Sequence, residues 1–180
     1  MAADDSKKAP LITTLPDGKV CDFIDGTIRN DTPEEYVRQN IERRLVKELG
    51  YKPERIAIEL PIKVGSSNKR VDIAIFADGA QHVQENIDII IECKNEKVKP
   101  SDKKDGEDQL KSYLSSCPNA QWGMWTNGRH KSVFRRVEVE GRVLWEEPND
   151  IPAHDGNIDD TDRPTRDKLM RSTDDNLLFS

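Results

Sequence analysis

With 180 residues, 28 basic and 34 acidic side chains and a formal net charge of −6, the chain is sized for one modest domain with tails, large enough to bury a real core. No apolar stretch approaches membrane-spanning length and the first residues lack a signal-peptide core, so the reading is a cytoplasmic protein without a membrane partner. Cys21, Cys93 and Cys117, like His82, His130 and His154, lack paired short spacings, which argues against a disulfide framework or a zinc cluster.

The acidity sits at the ends. Residues 1–35 carry 4 basic and 8 acidic side chains, residues 149–180 carry the same numbers, and residues 36–148 carry 20 and 18. The slightly basic middle permits nucleic-acid binding without demonstrating it.

Residues 1–31 read as an N-terminal arm punctuated by Pro10, Pro16, Gly18 and Gly26, with one short strand at Val20–Ile24 and a packing-strap role. Thr32-Pro33-Glu34-Glu35 predicts a helix start, with Thr32 as N-cap, proline at the first helical position and Glu35 placed for a capping box. Val37, Ile41, Leu45 and Leu49 follow at four-residue steps and Gly50 is the stop, so one face packs on a sheet. Glu34, Arg38 and Glu42 share an adjacent stripe, as in an ordinary ladder of helical ion pairs.

Ile56, Ile58, Leu60 and Ile62 alternate with Glu59 and Pro61, the pattern of a strand with one buried face. Gly65-Ser66-Ser67-Asn68 turns the chain into a second strand, Lys69–Phe76, in which Val71, Ile73 and Ile75 alternate against Asp72. Asp78–Asn86 is a loop. Ile87–Lys94 is then an almost wholly apolar, β-branched run that closes on a carboxylate and an ammonium, Glu92 and Lys94. Side chains two apart share a strand face, so these two point the same way and Cys93 points to the other.

If the two strands are neighbours, Asp72, Glu92 and Lys94 converge at one end of a sheet. Two carboxylates suit a hard divalent cation such as magnesium, with the backbone carbonyl of Cys93 as a further oxygen ligand. A lysine beside that ion can orient water or stabilise charge developing at phosphorus. Glu59 points either to solvent or to this site, and no spacing decides between them.

Asn95–Asp108 is a charged loop whose Lys97, Lys99, Lys103 and Lys104 are solvated or touch phosphates. Gln109–Leu114 begins a short helix ending near Cys117-Pro118, with Leu110 and Leu114 buried and Gln109 and Tyr113 together on the next stripe. That pair is either a polar helix face or a hydrogen-bonding group for a phosphodiester or the lysine. Strands at Ala120–Thr126, Ser132–Val139 and Arg142–Trp145 follow, with Asn127-Gly128 as a hairpin turn and Gly141 as the next. Trp122 and Trp125 face opposite sides, as core residues ahead of any base-stacking role. From Pro148 the chain turns acidic and proline-punctuated, a linker to a helix over Thr165–Leu178, and its apolar last residues point to a missing C-terminal region.

Asp72 followed by Glu92-x-Lys94 resembles the active-site signature of the PD-(D/E)XK nuclease superfamily, with Val71 in place of the proline. Thr32 to Gln39, Leu49-Gly50-Tyr51 and Glu59-x-Pro61-Ile62 resemble the N-terminal nuclease domain of type I restriction enzyme R subunits and related restriction-modification proteins. Gln109-x-x-x-Tyr113 is similar to the accessory motif of those nucleases, and Trp122–Gly128 to their strand ending in Thr-Asn-Gly. The ordered combination spans roughly residues 20–146.

The resemblance implies an α/β fold, a restriction-endonuclease-like central mixed β-sheet flanked by α-helices, with the nuclease domain at residues 32–147 and an acidic tail at 148–180. It implies an Mg2+-dependent endodeoxyribonuclease, with Mn2+ as a substitute ion, acting on DNA beside other restriction-modification subunits. It gives catalytic roles to Asp72, Glu92, Lys94 and the helix-borne Glu34, and a phosphate-binding role to Gln109 and Tyr113. No Walker-type phosphate loop or dinucleotide fingerprint is present, so no ATP site is expected. Two other functions stay open: a non-cleaving nucleic-acid-binding or assembly module on the same fold, and a repair or recombination nuclease.

Overall fold

The computed structural model describes residues 15–154; the earlier part of the arm and the helix expected over 165–178 lie outside them. Helix α1, Pro33–Lys47, starts where its cap dictates: the Thr32 hydroxyl accepts the Glu35 N–H at 3.1 Å, and Pro33 has no N–H to leave unpaired. The reciprocal half of the capping box is absent, because the Glu35 carboxylate accepts instead from Arg38 and Gln39. The helix stops at Glu48, after which Gly50 takes φ 74° and the Tyr51 N–H closes on the Leu45 carbonyl at 3.0 Å.

Six strands form one mixed sheet in sequence order: β3 Ile56–Val64, β4 Ser67–Phe76, β5 Ile87–Cys93, β6 Trp122–Thr126, β7 Lys131–Val139 and β8 Arg142–Glu146. Only β5 and β6 are parallel, and helix α2, Glu107–Ser116, lies in the crossover that such a pair requires. Its central strands are buried on both faces, while the β7–β8 end is largely exposed. Val37 and Leu45 of α1 pack with Ile73, Ile75, Ile89, Ile91 and Met124 on one side. Leu110, Tyr113 and Leu114 of α2 pack with Val71, Phe76, Ile90 and Trp125 on the other. This is a restriction-endonuclease-like α/β fold.

The first hairpin departs from simple alternation. Ile56 and Ile58 face α1, whereas Leu60, Ile62 and Val64 face α2, so β3 does not bury one side along its length. The partner strand switches at the same level, with Val71 toward α2 and Ile73 and Ile75 toward α1. At the switch Glu59 has φ 52°, the left-handed region, opposite Asp72 in the Ile58↔Ile73, Leu60↔Val71 register. The turn is also tighter than expected, since Val64 pairs with Ser67 and only Gly65 and Ser66 remain outside the ladder.

The arm holds two strands, β1 Lys19–Cys21 and β2 Ile28–Asn30, paired antiparallel as a separate hairpin in place of the single strand expected over 20–24. Asn127-Gly128 is part of a four-residue turn in which the Asn127 side-chain oxygen accepts the Arg129 and His130 N–H groups and only Gly128 has positive φ. Beyond Pro148 the chain stays docked as far as His154 where a linker was expected. Ile151 is buried, Asp150 pairs with Arg44 and Lys131, and Tyr51 donates to the Pro152 carbonyl at 2.7 Å. No helix among the described residues is long and apolar enough to cross a membrane.

Candidate active site

Strands β4 and β5 are antiparallel neighbours, and one step beyond the Ile73↔Ile91 pair the register sets Asp72 against Glu92. The two acidic side chains lock each other's strands. Asp72 Oδ2 accepts the Cys93 N–H at 2.8 Å, and Glu92 Oε1 accepts the Asp72 N–H at 3.2 Å. Lys94 leaves the sheet but is held by its own N–H on the Thr126 carbonyl at 2.8 Å, and its Nζ lies 3.4 Å from Glu92 Oε2.

Burial sets the electrostatics of this group. Glu92 and Lys94 are 1% and 8% exposed, so neither charge is dissipated by bulk water. Burial pushes the Glu92 carboxyl well above its usual range, and the neighbouring Asp72 charge adds to the effect. Asp72 is raised for the same first reason, against the opposing pull of Lys94. Burial alone would depress Lys94, but Glu92, Asp72 and Glu34 outweigh it and keep the ammonium above its ordinary value. Two carboxylates thus face one compensating lysine.

Glu34 stands in the first turn of α1, half-buried, and is raised by burial first and by Asp72 second, with Lys94 opposing. It therefore leaves the helical ladder in which the sequence pattern sets it. Glu35 takes its place: Arg38 pairs with Glu35, with Glu42 at 3.7 Å and with Glu59 at 3.2 Å. Burial would raise the Glu59 carboxyl, but it is paired with three arginines, Arg38, Arg29 and Arg70, which hold it below the usual range.

On the α2 side the Gln109 amide donates to the Tyr113 hydroxyl at 3.1 Å, while Gln109 Oε1 is buried with no partner. Burial raises the Tyr113 phenol, with the Glu92 charge next, so the pair lies within electrostatic reach of the carboxylates. The Cys93 thiol is fully buried among the α1-side apolar residues, where burial raises it well above its usual value. The side chain is taken up by that apolar layer, and its main-chain carbonyl is the candidate donor.

Beside these strand ends opens a cleft of about 620 Å³ bordered by Glu34, Arg38, Glu59, Asp72, Cys93 and Asn95. Among the described residues no three His, Cys, Asp or Glu side chains form a metal cage by themselves. The donor set is hard oxygen: the Asp72 and Glu92 carboxylates and a main-chain carbonyl. That chemistry fits a magnesium-like ion that keeps several waters. The lysines of the 95–108 loop, Lys97, Lys99, Lys103 and Lys104, are solvent-exposed. Trp125 is fully buried with its indole N–H on the Asp105 carbonyl, and Trp122 is half-buried under Arg135, so neither is free to stack on a base.

The sequence reading missed the arginine clamp on Glu59, the face switch at its positive φ, and the arm as part of the cleft. The one local signal was a charged residue, Glu59, interrupting an apolar run two residues before Pro61. A model of the family described as type I restriction enzyme R protein N terminus (HSDR_N) matches residues 33–152. No curated protein and no solved structure matches.

Proposed function

Since the chain belongs to the type I restriction enzyme R protein N-terminus family, which sets it in a restriction-modification context, we propose that it is a divalent-metal-dependent endonuclease domain hydrolysing DNA phosphodiester bonds. The observation that carries this reading is the reciprocal lock of Asp72 and Glu92 across β4 and β5, with Lys94 on the same strand end. Two buried carboxylates beside one lysine leave negative charge that a cation would balance. Structural ion pairs do not need this excess.

Asp72, Glu92 and the Cys93 carbonyl would hold Mg2+, for which Mn2+ would substitute, and Glu34, which lines the same cleft as Asp72, would add a further carboxylate to the site. When bound, the ion supplies Lewis-acid polarisation of the phosphoryl oxygen and acidifies a coordinated water. The chain's own groups do the positioning. Lys94, whose main-chain N–H is held by the Thr126 carbonyl and whose ammonium lies beside Glu92, orients the attacking water and faces the charge that grows on the phosphoryl oxygens. The Gln109 oxygen left without a partner is an acceptor for that water or for Lys94, and the Tyr113 hydroxyl is a donor to a phosphate oxygen. No group in this domain is called on to bind ATP. DNA and other restriction-modification subunits are the partners this reading implies.

Calorimetric titration of Mg2+ or Mn2+ into the wild-type domain and into Glu92→Gln tests the reading. Saturable uptake lost in the variant is expected. Its absence from the wild type in the presence of DNA would leave a DNA-binding module without the proposed chemistry.

A further inference from the structure

Part of the cleft wall comes from outside the region matched by the family. Lys19, Ile28 and Asn30 of the β1–β2 hairpin border the same cleft as Asp72, and all three are exposed to solvent. The hairpin is nonetheless firmly seated. Asp22 is 2% exposed and accepts from the Ile24 and Asp25 N–H groups and, at 2.7 Å, from Arg29 Nε. Arg29 Nη1 then crosses to Glu59 at 3.1 Å, and the Phe23 N–H donates to the Gln39 side chain of α1, also at 3.1 Å. The tip is clamped from two elements of the main domain.

The charges bordering the cleft are not equally available. Arg29 and Arg38 are each matched by carboxylates. Lys19 has no carboxylate partner among the described residues; its ammonium donates to the neutral Asn30 side-chain oxygen at 2.5 Å. A lysine held in place by a neutral amide has no counter-charge beside it and keeps two further N–H donors for an anion.

We propose that the hairpin is a substrate wall, on which Lys19, oriented by Asn30, contacts a backbone phosphate of the DNA strand lying in the cleft. This rests on the reading of DNA as the ligand. A phosphate contact of this kind adds affinity without sequence preference and steepens the salt dependence.

The test is fluorescence anisotropy of a labelled duplex in calcium buffer across a salt series. The proteins are wild type, Lys19→Ala, Lys19→Glu, Lys19→Arg, and Lys52→Glu as an exposed lysine outside the cleft. Lys19→Ala should weaken Kd by about 3–10-fold near 0.1 M salt and lower the log–log salt slope by about 0.9. Lys19→Glu should weaken it further, and Lys19→Arg should stay within about twofold of wild type. If Lys19→Glu binds like Lys52→Glu while wild type binds normally, the hairpin is no substrate wall, although the DNA reading stands. If wild type does not bind the duplex at all, the DNA reading fails and this inference with it.

Discussion

Glu42 offers the sharpest test of how α1 carries charge into the domain. Its carboxylate is fully buried, neither oxygen has a hydrogen-bond partner, and the nearest cation, Arg38 Nε, is 3.7 Å away. Burial first and the Asp22 charge second push its pKa from 4.5 up to about 8, with Glu35 adding to the rise and Arg38 and Arg29 opposing it. The folded protein thus keeps the Glu42 proton across a range where the unfolded chain releases it. Stability from this group is present in full below about pH 4.5, falls as pH rises, and levels off above about pH 8. At about 1.4 kcal/mol per unit the window caps the effect near 5 kcal/mol, and local relaxation brings the expected size to roughly 2–4 kcal/mol. Glu42→Gln copies the neutral carboxyl at every pH. Urea denaturation should find it close to wild type at pH 5 and more stable by that amount at pH 8. Parallel stability profiles for the two proteins would refute a neutral Glu42 without a hydrogen-bond partner.

Asp150 should behave with the opposite sign. Burial raises its carboxyl, but Arg44 and Lys131 outweigh this and hold it below 3.8, so its stabilisation is present above that value and is lost as pH falls through the folded-state pKa. Asp150→Asn should cost roughly 0.5–1 kcal/mol at pH 7 and nothing in strong acid, as read by thermal melts. A Cβ at Gly106 would lie 2.2 Å from the Pro100 carbonyl oxygen and 2.4 Å from that of Asp102, so Gly106→Ala must open the loop leading into α2. It should cost about 2–3 kcal/mol in urea unfolding and weaken catalysis through misplaced Gln109 and Tyr113. Glu34 and Glu59 separate by their surroundings: Glu34→Gln should weaken Mn2+ affinity in calorimetry, whereas Glu59→Gln should lower the melting temperature and leave that affinity intact.

Most of the layer architecture was legible because local rules agreed. The Thr32 cap, the β-branched run Ile87–Ile91 and the Leu110/Leu114 pair each satisfy both propensity and burial, and the structure obeys them. The convergence of Asp72, Glu92 and Lys94 followed from strand periodicity once β4 and β5 were neighbours. The failures share a cause in tertiary competition. Glu34 and Glu35 both stand at helical pairing distance from Arg38, four and three residues away, and which one meets it depends on where Glu59 stands across the chain. Period-two reading of β3 assumed an unbroken strand, and one residue in the left-handed region reverses the faces after it. The hairpin of the arm depends on Asp22 and Arg29 forming a buried pair, which no spacing announces.

The central claim is tested most directly by cleavage of supercoiled DNA by the wild-type domain, Asp72→Ala and Lys94→Ala, with Mg2+ or Mn2+ and with EDTA, circular dichroism confirming that each is folded. Metal-dependent nicking by wild type, lost in both variants by at least about a hundredfold, is the predicted result. Cleavage that persists in folded Asp72→Ala, or that proceeds equally in EDTA, would contradict the account.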